Sequence, residues 1–333
     1  MADFVNFVIL RTIPRVAAVL AALTLAATGL ALFASRWWLA DLAVHFRPQY
    51  AVLAALVAVV LGAARRWAWA VAALVALGVN ALAIVAVLEP GAAPIRAASA
   101  APPAAAAPAT HVRVLAMNVF YGNTHYERVR ALVRAAHPDV AVLVEITPQW
   151  LSGLKDLRKD FPYGYYAARW RMSLRGRQRR GVLLLSRWPI AQLTTLSAIG
   201  EGDPSVDAAL LIRGRRLRLI GVHASWPLGR LRSLQRNAEL EHLGSLADVA
   251  TDPLVIAGDL NVTPFSPYFQ HLLERGGLRS ADRGWAPTWP TFLPPAGIRI
   301  DHVLVSSGVS VLGWQRGSRM GSDHWPVIAD LAF

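Results

Sequence analysis

The chain has 333 residues and a formal net charge of +13, with 55% hydrophobic residues and a mean hydropathy of +0.38. That length allows one or two domains, and that hydropathy is too high for an ordinary soluble protein, so a membrane part is expected. The absence of cysteine excludes disulfides, thiolate metal sites and cysteine nucleophiles.

The basic excess is almost all arginine, since Lys155 and Lys159 are the only lysines. Such a charge attracts phosphate-bearing partners, whether a lipid surface or nucleic acid. Biased composition is the plainer source of it.

Three apolar stretches open the chain, from about Ile13 to Phe33, Tyr50 to Ala64 and Trp67 to Leu88. The first and third are long enough to cross a bilayer as helices, and the second is short for a span. A cleaved signal peptide does not fit, because the first apolar run is too long and two more follow. Arg11 and Arg15 precede the first stretch, and Arg65 and Arg66 fill the turn between the second and third. The positive-inside rule then places the N-terminus and that turn in the cytoplasm. Three spans would deliver the rest of the chain to the outside of a cell (inner) membrane, and the orientation reverses if the second stretch does not cross. Residues 91–110 are Ala/Pro-rich with almost no charge and read as a semi-extended linker.

From His111 to Phe333 short apolar runs recur: VRVLAMNVF, VAVLVEI, GVLLLS, AALLIRG, LRLIGVHA, PLVIAGDLNV, IDHVLVS and VIADLAF. They predict strands. Between them, Thr124 and Glu127 form a T-x-x-E capping box that opens a helix through about Ala136. A second helix is expected from Leu231 to Val249. A third starts with Ser266 as N-cap and Pro267 at its first position, and ends at Gly276–Gly277. Many strands with few helices argue for an α+β layered sandwich.

Polar residues stand at the ends of these runs. Asn118 ends the first, and Glu145 follows five apolar residues, unusual for a carboxylate without a partner. His223 follows LIGV, where a satisfied core histidine is the plainer reading. Asp259 and Asn261 lie two apart, on one face of a strand, where a carboxylate and a carboxamide together orient water and a phosphoryl oxygen. A polar turn explains them equally well. Asp301–His302 and Asp323–His324 are two Asp-His dipeptides beside apolar strands. A carboxylate satisfies a buried histidine and raises its basicity.

Taken in order, Asn118, Glu145, His223, Asp259-x-Asn261, Asp301 and Ser322-Asp323-His324 resemble the endonuclease/exonuclease/phosphatase (DNase I-like) family, in a membrane-tethered subgroup. GDLN matches its GDxN, SDHWPV its SDHxPV, and GVLLLSRWPI, with Gly181, Ser186, Arg187 and Pro189, its G-x-x-x-x-S-R-x-P strand. The resemblance implies a four-layer α/β/β/α sandwich over residues 111–333, preceded by about three transmembrane helices. It implies a hydrolase of phosphoester bonds that uses Mg²⁺ or Mn²⁺. Asn118, Glu145 and Asp323 would serve the metal. His324 would contact the phosphate or act as base, held by Asp301. His223 would bind phosphate or protonate the leaving group, and Asp259 and Asn261 would position water. One departure stands out: Phe120 occupies a position where some members carry Asp, which weakens the case for a second tight metal.

Residues 169–180, RWRMSLRGRQRR, hold six arginines and read as a charged loop. As an anion-binding rim it would bring Arg177, Arg179 and Arg180 to the substrate. Trp226, Trp285 and Trp289 lie in Pro-rich loops, where rim packing is the plainer role. The leading reading is a phosphoesterase of a phosphorylated or lipid-linked substrate at a membrane. The alternative is a membrane-bound nuclease acting on DNA or RNA, and the least favoured is an inactive binding module.

Overall fold

The computed structural model describes residues 2–88, 109–173, 176–197, 202–282, 284 and 286–333, with the side chains of 2–11, 88 and 172–178 outside it. The linker expected at 91–110 lies outside the described residues up to 108. The chain divides into two compact units, an N-terminal helical one and a sheet domain.

The helical unit comprises α1 (Ala2–Ala31), α2 (Trp38–Val44), α3 (Arg47–Ala63) and α4 (Trp67–Leu88). Thr12–Ala31 and Trp67–Val87 are each long and apolar enough to cross a membrane. The second expected stretch is part of a bent pair, α2 and α3, which meet at 66° and reach span length only together. Pro48 in the first turn of α3 favours a fresh helix start after that bend. A polar seam ties the unit together. Asn80 Nδ2 donates to Thr28 Oγ1 and to the Ala76 carbonyl, both at 2.8 Å, and Arg47 Nη1 reaches Asn80 Oδ1 at 3.4 Å. Interhelical hydrogen bonds of this kind hold apolar helices in register.

The sheet domain contains β1 (His111–Asn118), α5 (Tyr126–Ala136), β2 (Val140–Ile146), α6 (Pro148–Gly153), β3 (Tyr163–Ser173), β4 (Gly176–Ser186), β5 (Ile190–Leu196) and β6 (Ser205–Ile212). It continues with β7 (Arg215–His223), α7 (Arg230–Asp248), β8 (Leu254–Asp259), α8 (Pro267–Gly276), β9 (Leu278–Ser280), β10 (Asp301–Ser306), β11 (Ser310–Arg316) and β12 (Val327–Ala332). Two six-stranded sheets form, in the orders β11-β12-β1-β2-β4-β3 and β5-β6-β7-β8-β10-β9.

Strand alternation builds the layers. Val112, Val114 and Ala116 of β1 and Val140, Val142 and Val144 of β2 face the other sheet. The intervening Leu115, Met117, Ala141 and Leu143 face Val129 and Val133 of α5 and Trp150 of α6. On the far side, Ile220, Leu254 and Ile256 meet Leu240 and Leu243 of α7 and Phe269 and Leu272 of α8. Three apolar seams between four layers give the α/β/β/α sandwich that the sequence implied.

Two local expectations change. The Thr124 capping box does not form: α5 begins after His125 with no side-chain cap, and Asn123 Oδ1 accepts from His125 N at 3.0 Å instead. Glu127 turns along the helix to Arg130. The arginine-rich stretch is not a loop but the pairing of β3 with β4, Arg169 opposite Arg180 and Trp170 opposite Arg179.

Candidate active site

Register places the site. β7 and β8 run parallel with His223 beside Asp259, and β8 and β10 run antiparallel with Asp301 beside Asp259. Neighbours in register share a face, so one carboxylate stands between a histidine and a second carboxylate. From the other sheet, the parallel ends of β1 and β2 bring Asn118 and Glu145. The approach is close. Gly258 has φ +141°, and a Cβ there would lie 2.0 Å from the Val222 carbonyl oxygen. Glu145 (φ +62°) and Asn261 (φ +49°) hold left-handed backbone conformations that non-glycine residues rarely adopt. Glu145 lies where the β2–β4 register shifts between Leu143 and Ile146. Such irregularities re-aim side chains at strand ends.

Asp259 is the hub. Its Oδ1 accepts from Asn261 N at 2.9 Å and its Oδ2 from Asn118 Nδ2 at 3.1 Å. The Nε2 atoms of His223 and His324 each lie 3.8 Å from that same Oδ2. Burial, and then the charge of Asp301, push the Asp259 carboxyl up to about 6, against the pull of the two histidines and Asn118. Asn261 turns its amide to the Ala224 carbonyl at 2.9 Å, and its own carbonyl accepts from the buried Arg236 at 2.8 Å. It braces the Asp259 turn.

Two histidines are oriented by carboxylates. His324 Nδ1 is 2.8 Å from Asp301 Oδ2, and its ring pKa is pushed up to about 10. Burial works against that charge, but Asp301 and Asp259 overcome it. His223 Nδ1 is 2.7 Å from Asp203 Oδ2. Burial likewise opposes the His223 imidazolium, and Asp203 reverses the balance and raises the pKa. Asp203 was not anticipated. Its only mark in the sequence is an Asp-Pro dipeptide, which reads as a turn.

Glu145 Oε2 accepts from Tyr121 N at 2.9 Å, and its Oε1 lies 3.8 Å from His223 Nε2. Asp323 is held by Trp289, whose Nε1 donates to Oδ2 at 3.1 Å. Burial, and further the charge of Glu145, raise its pKa. Ser322 Oγ donates to the Asn118 carbonyl at 2.7 Å and so ties the closing motif to β1.

The donor set fits a hard divalent cation. Asp301 Oδ1 and Asp323 Oδ1 are buried with no hydrogen-bond partner among the described residues, and the Glu145 and Asp323 carboxylates repel one another. Oxygen donors left in that state suit Mg²⁺ or Mn²⁺. Asp259, Asp301 and His324 also offer ligand atoms within 4.8 Å of one another. That group already contains its own cation, the His324 imidazolium, so a metal fits better on the Glu145–Asp323 side. Asn118 Oδ1 accepts from Phe120 N at 2.9 Å and keeps one lone pair for such an ion.

Of the expected substrate arginines, Arg180 reaches the site. It lies 4.0 Å from Glu145 and 3.9 Å from Asp203, with its guanidinium over the Tyr121 ring. Arg171 joins it, 3.8 Å from Asp203. Arg179 does not: strand alternation turns it to the opposite face, where it is exposed. The Arg177 side chain and Trp285 lie outside the described residues. His302 also departs from its dipeptide partner. It points into the core, with Nε2 2.9 Å from the Val262 carbonyl and Nδ1 3.4 Å from Asp282.

The profile of the endonuclease/exonuclease/phosphatase family matches residues 115–324. The chain belongs to this family. No curated protein matches the chain. Among solved structures it is similar to an endonuclease/exonuclease/phosphatase from Beutenbergia cavernae, with 21% identity, TM-score 0.56, and 67% of this chain and 71% of that one covered. A D. rerio TDP2 complexed with a single-strand DNA product is 16% identical, with TM-score 0.55, covering 66% of this chain and 98% of that one. A mannosyl-6-phosphatase from Bacteroides thetaiotaomicron is 18% identical, with TM-score 0.52, covering 67% and 100%. At these identities the likeness carries the fold. Members of the endonuclease/exonuclease/phosphatase family are hydrolases of phosphoester bonds, and Asn118, Glu145, His223, Asp259, Asn261, Asp301, Asp323 and His324 stand at the motif's polar positions, with Phe120 where some members carry Asp.

Proposed function

We propose that this chain is a membrane-anchored, divalent-metal-dependent phosphoesterase that hydrolyses a phosphate ester or pyrophosphate borne by a lipid. Residues 1–90 would form the membrane-spanning region, 91–110 the tether and 111–333 the catalytic domain. The arginines at 11, 15, 65 and 66 favour an extracytoplasmic face for that domain. The observation that carries the reading is the convergence of His223, His324, Asp301 and Asn118 on Asp259, with Glu145 alongside.

Glu145, Asp323 and the free lone pair of Asn118 would hold the metal, which supplies charge neutralisation on the phosphoryl oxygens. Asp259, with a carboxyl near 6, is suited to take a proton from attacking water at neutral pH. Asn261 fixes the Asp259 carboxylate through its backbone N–H. His324, held charged by Asp301, donates to a non-bridging oxygen. His223, held by Asp203, protonates the leaving oxygen. Arg180 adds a planar donor for a second phosphate or a head group.

A nuclease is the second reading. It draws on the likeness to a TDP2 complexed with single-strand DNA product and on the basic β3–β4 hairpin. A panel of phosphoesters, assayed with full-length protein in Mg²⁺ and in chelator, separates the two. The proposed reading expects phosphate release from lipid phosphates in Mg²⁺ that stops with chelator. Nicking of plasmid DNA that disappears with His324→Gln, without lipid phosphate turnover, would favour the nuclease. Chelator-resistant turnover would refute the metal role.

A further inference from the structure

Beside the site the domain exposes large apolar side chains where a soluble enzyme would present polar ones. Trp226 is three residues beyond His223 and is 54% exposed; Leu228, Leu231 and Leu234 are 46%, 65% and 56% exposed. The buried face of α7 is formed by Ser233, Arg236, Leu240 and Leu243. Leu231, Leu234 and Ala238 recur at i, i+3 and i+7 on the uncovered face. This helix is thus apolar on the side that solvent should wet, over its first two turns. A second segment, Phe292 and Leu293 at 67% and 50% exposure, follows Thr291, whose N and Oγ1 donate to the carbonyls of Asp323 and Ser322.

The first segment is fixed to the catalytic turn. Ala224 accepts from Asn261 Nδ2 at 2.9 Å, and Ser233 Oγ donates to the Pro227 carbonyl at 2.6 Å. Exposed Arg230 stands between Leu228 and Leu231 and adds a cation to the apolar surface. Clustered exposed apolar residues mark an interaction surface. Apolar side chains interspersed with arginine match an anionic lipid interface, where the rings and chains enter the acyl boundary and the guanidinium meets phosphate.

We infer that Trp226, Leu228, Leu231 and Leu234, with Phe292 and Leu293, form a rim that seats the active-site mouth on an anionic phospholipid bilayer. The inference rests on the phosphoesterase reading and deepens it: the substrate would be an amphiphile handed to His223 and His324 directly from the membrane. The apolar helices of the same chain supply the proximity, and the rim supplies the orientation.

The cysteine-free chain permits a direct test. A single Leu231→Cys label with an environment-sensitive fluorophore would be compared with Ser310→Cys, at the exposed start of β11. Both full-length proteins would be reconstituted in vesicles of phosphatidylcholine and phosphatidylglycerol carrying acyl-chain quenchers. The rim predicts several-fold stronger quenching at position 231, greater still as the anionic lipid fraction rises. Equal quenching at both positions would overturn it, as would protection at 231 that depends on protein concentration and not on lipid, the signature of a second copy.

The triple change Trp226→Ser, Leu231→Ser and Leu234→Ser should lower phosphate release from vesicle-embedded phosphatidic acid by about tenfold. Release from soluble dibutyryl phosphatidic acid, which has the same head group, should be unchanged. Equal loss on both substrates would count against docking. Inactivity of the wild type on both would refute the phosphoesterase reading instead, and the quenching comparison would then decide docking by itself.

Discussion

Replacing His324 by glutamine is expected to lower phosphoester turnover by about 10²- to 10⁴-fold, the range lost with a positioned acid–base group. The side chain is buried, bonded at Nδ1 to Asp301, and turned at Nε2 toward Asp259. Glutamine retains a donor but no charge, so the phosphate contact weakens and two neighbouring carboxylates lose their shared cation. The change also has a pH signature. The ring pKa rises from 6.5 to about 10 on folding, so its contribution to stability is fully present below about pH 6.5. That contribution fades as the pH climbs toward 10. The stability gap between wild type and His324→Gln, measured by denaturant unfolding, should therefore narrow from pH 6 to pH 10. A gap that widens over that range, or turnover within tenfold of wild type, would contradict the role given to His324.

Gly258→Ala should be among the most damaging single methyls in the domain. The glycine has φ +141°, and the added Cβ would stand 2.0 Å from the Val222 carbonyl oxygen, a backbone atom that cannot rotate away. β7 and β8 must part to admit it, at a cost of about 3 kcal/mol or more. For a domain of this size that corresponds to a fall of roughly 6–12 °C in Tm. The same movement separates His223 from Asp259, its neighbour in register, so activity should fall even below the melting range. Circular dichroism melts of the full-length protein in detergent would check the first effect. An unshifted Tm would refute the close approach of the two strands.

The strands that were legible in the sequence are the interior ones. β1, β2, β4 from Gly181 on, β6, β7, β8, β10 and β12 are buried on both faces, largely or entirely, and so read as apolar runs. The four missed, β3, β5, β9 and β11, are the edges of the two sheets. β5 is exposed along almost its whole length, so its sequence carries no core signal. β3 was hidden by its arginines, which belong to its antiparallel pairing with β4 and not to a loop. The site followed the same division. Residues at the ends of interior strands, such as Asp259, Asp301 and Glu145, were found because polarity breaks an apolar run. Asp203 precedes a strand instead of ending one, and only its hydrogen bond to His223 reveals it. The Asp301–His302 dipeptide carries less than it shows, because alternation sends its two side chains to opposite faces and His302 into the core.

The arrangement around Asp259 is a claim about chemistry, and turnover tests it most directly. Phosphate release from the best lipid phosphate of the panel would be measured in Mg²⁺ for wild type and for the Glu145→Ala, His324→Ala double variant. The account predicts that the variant, still folded, releases phosphate no faster than protein-free vesicles. Equal rates for the two proteins would contradict it.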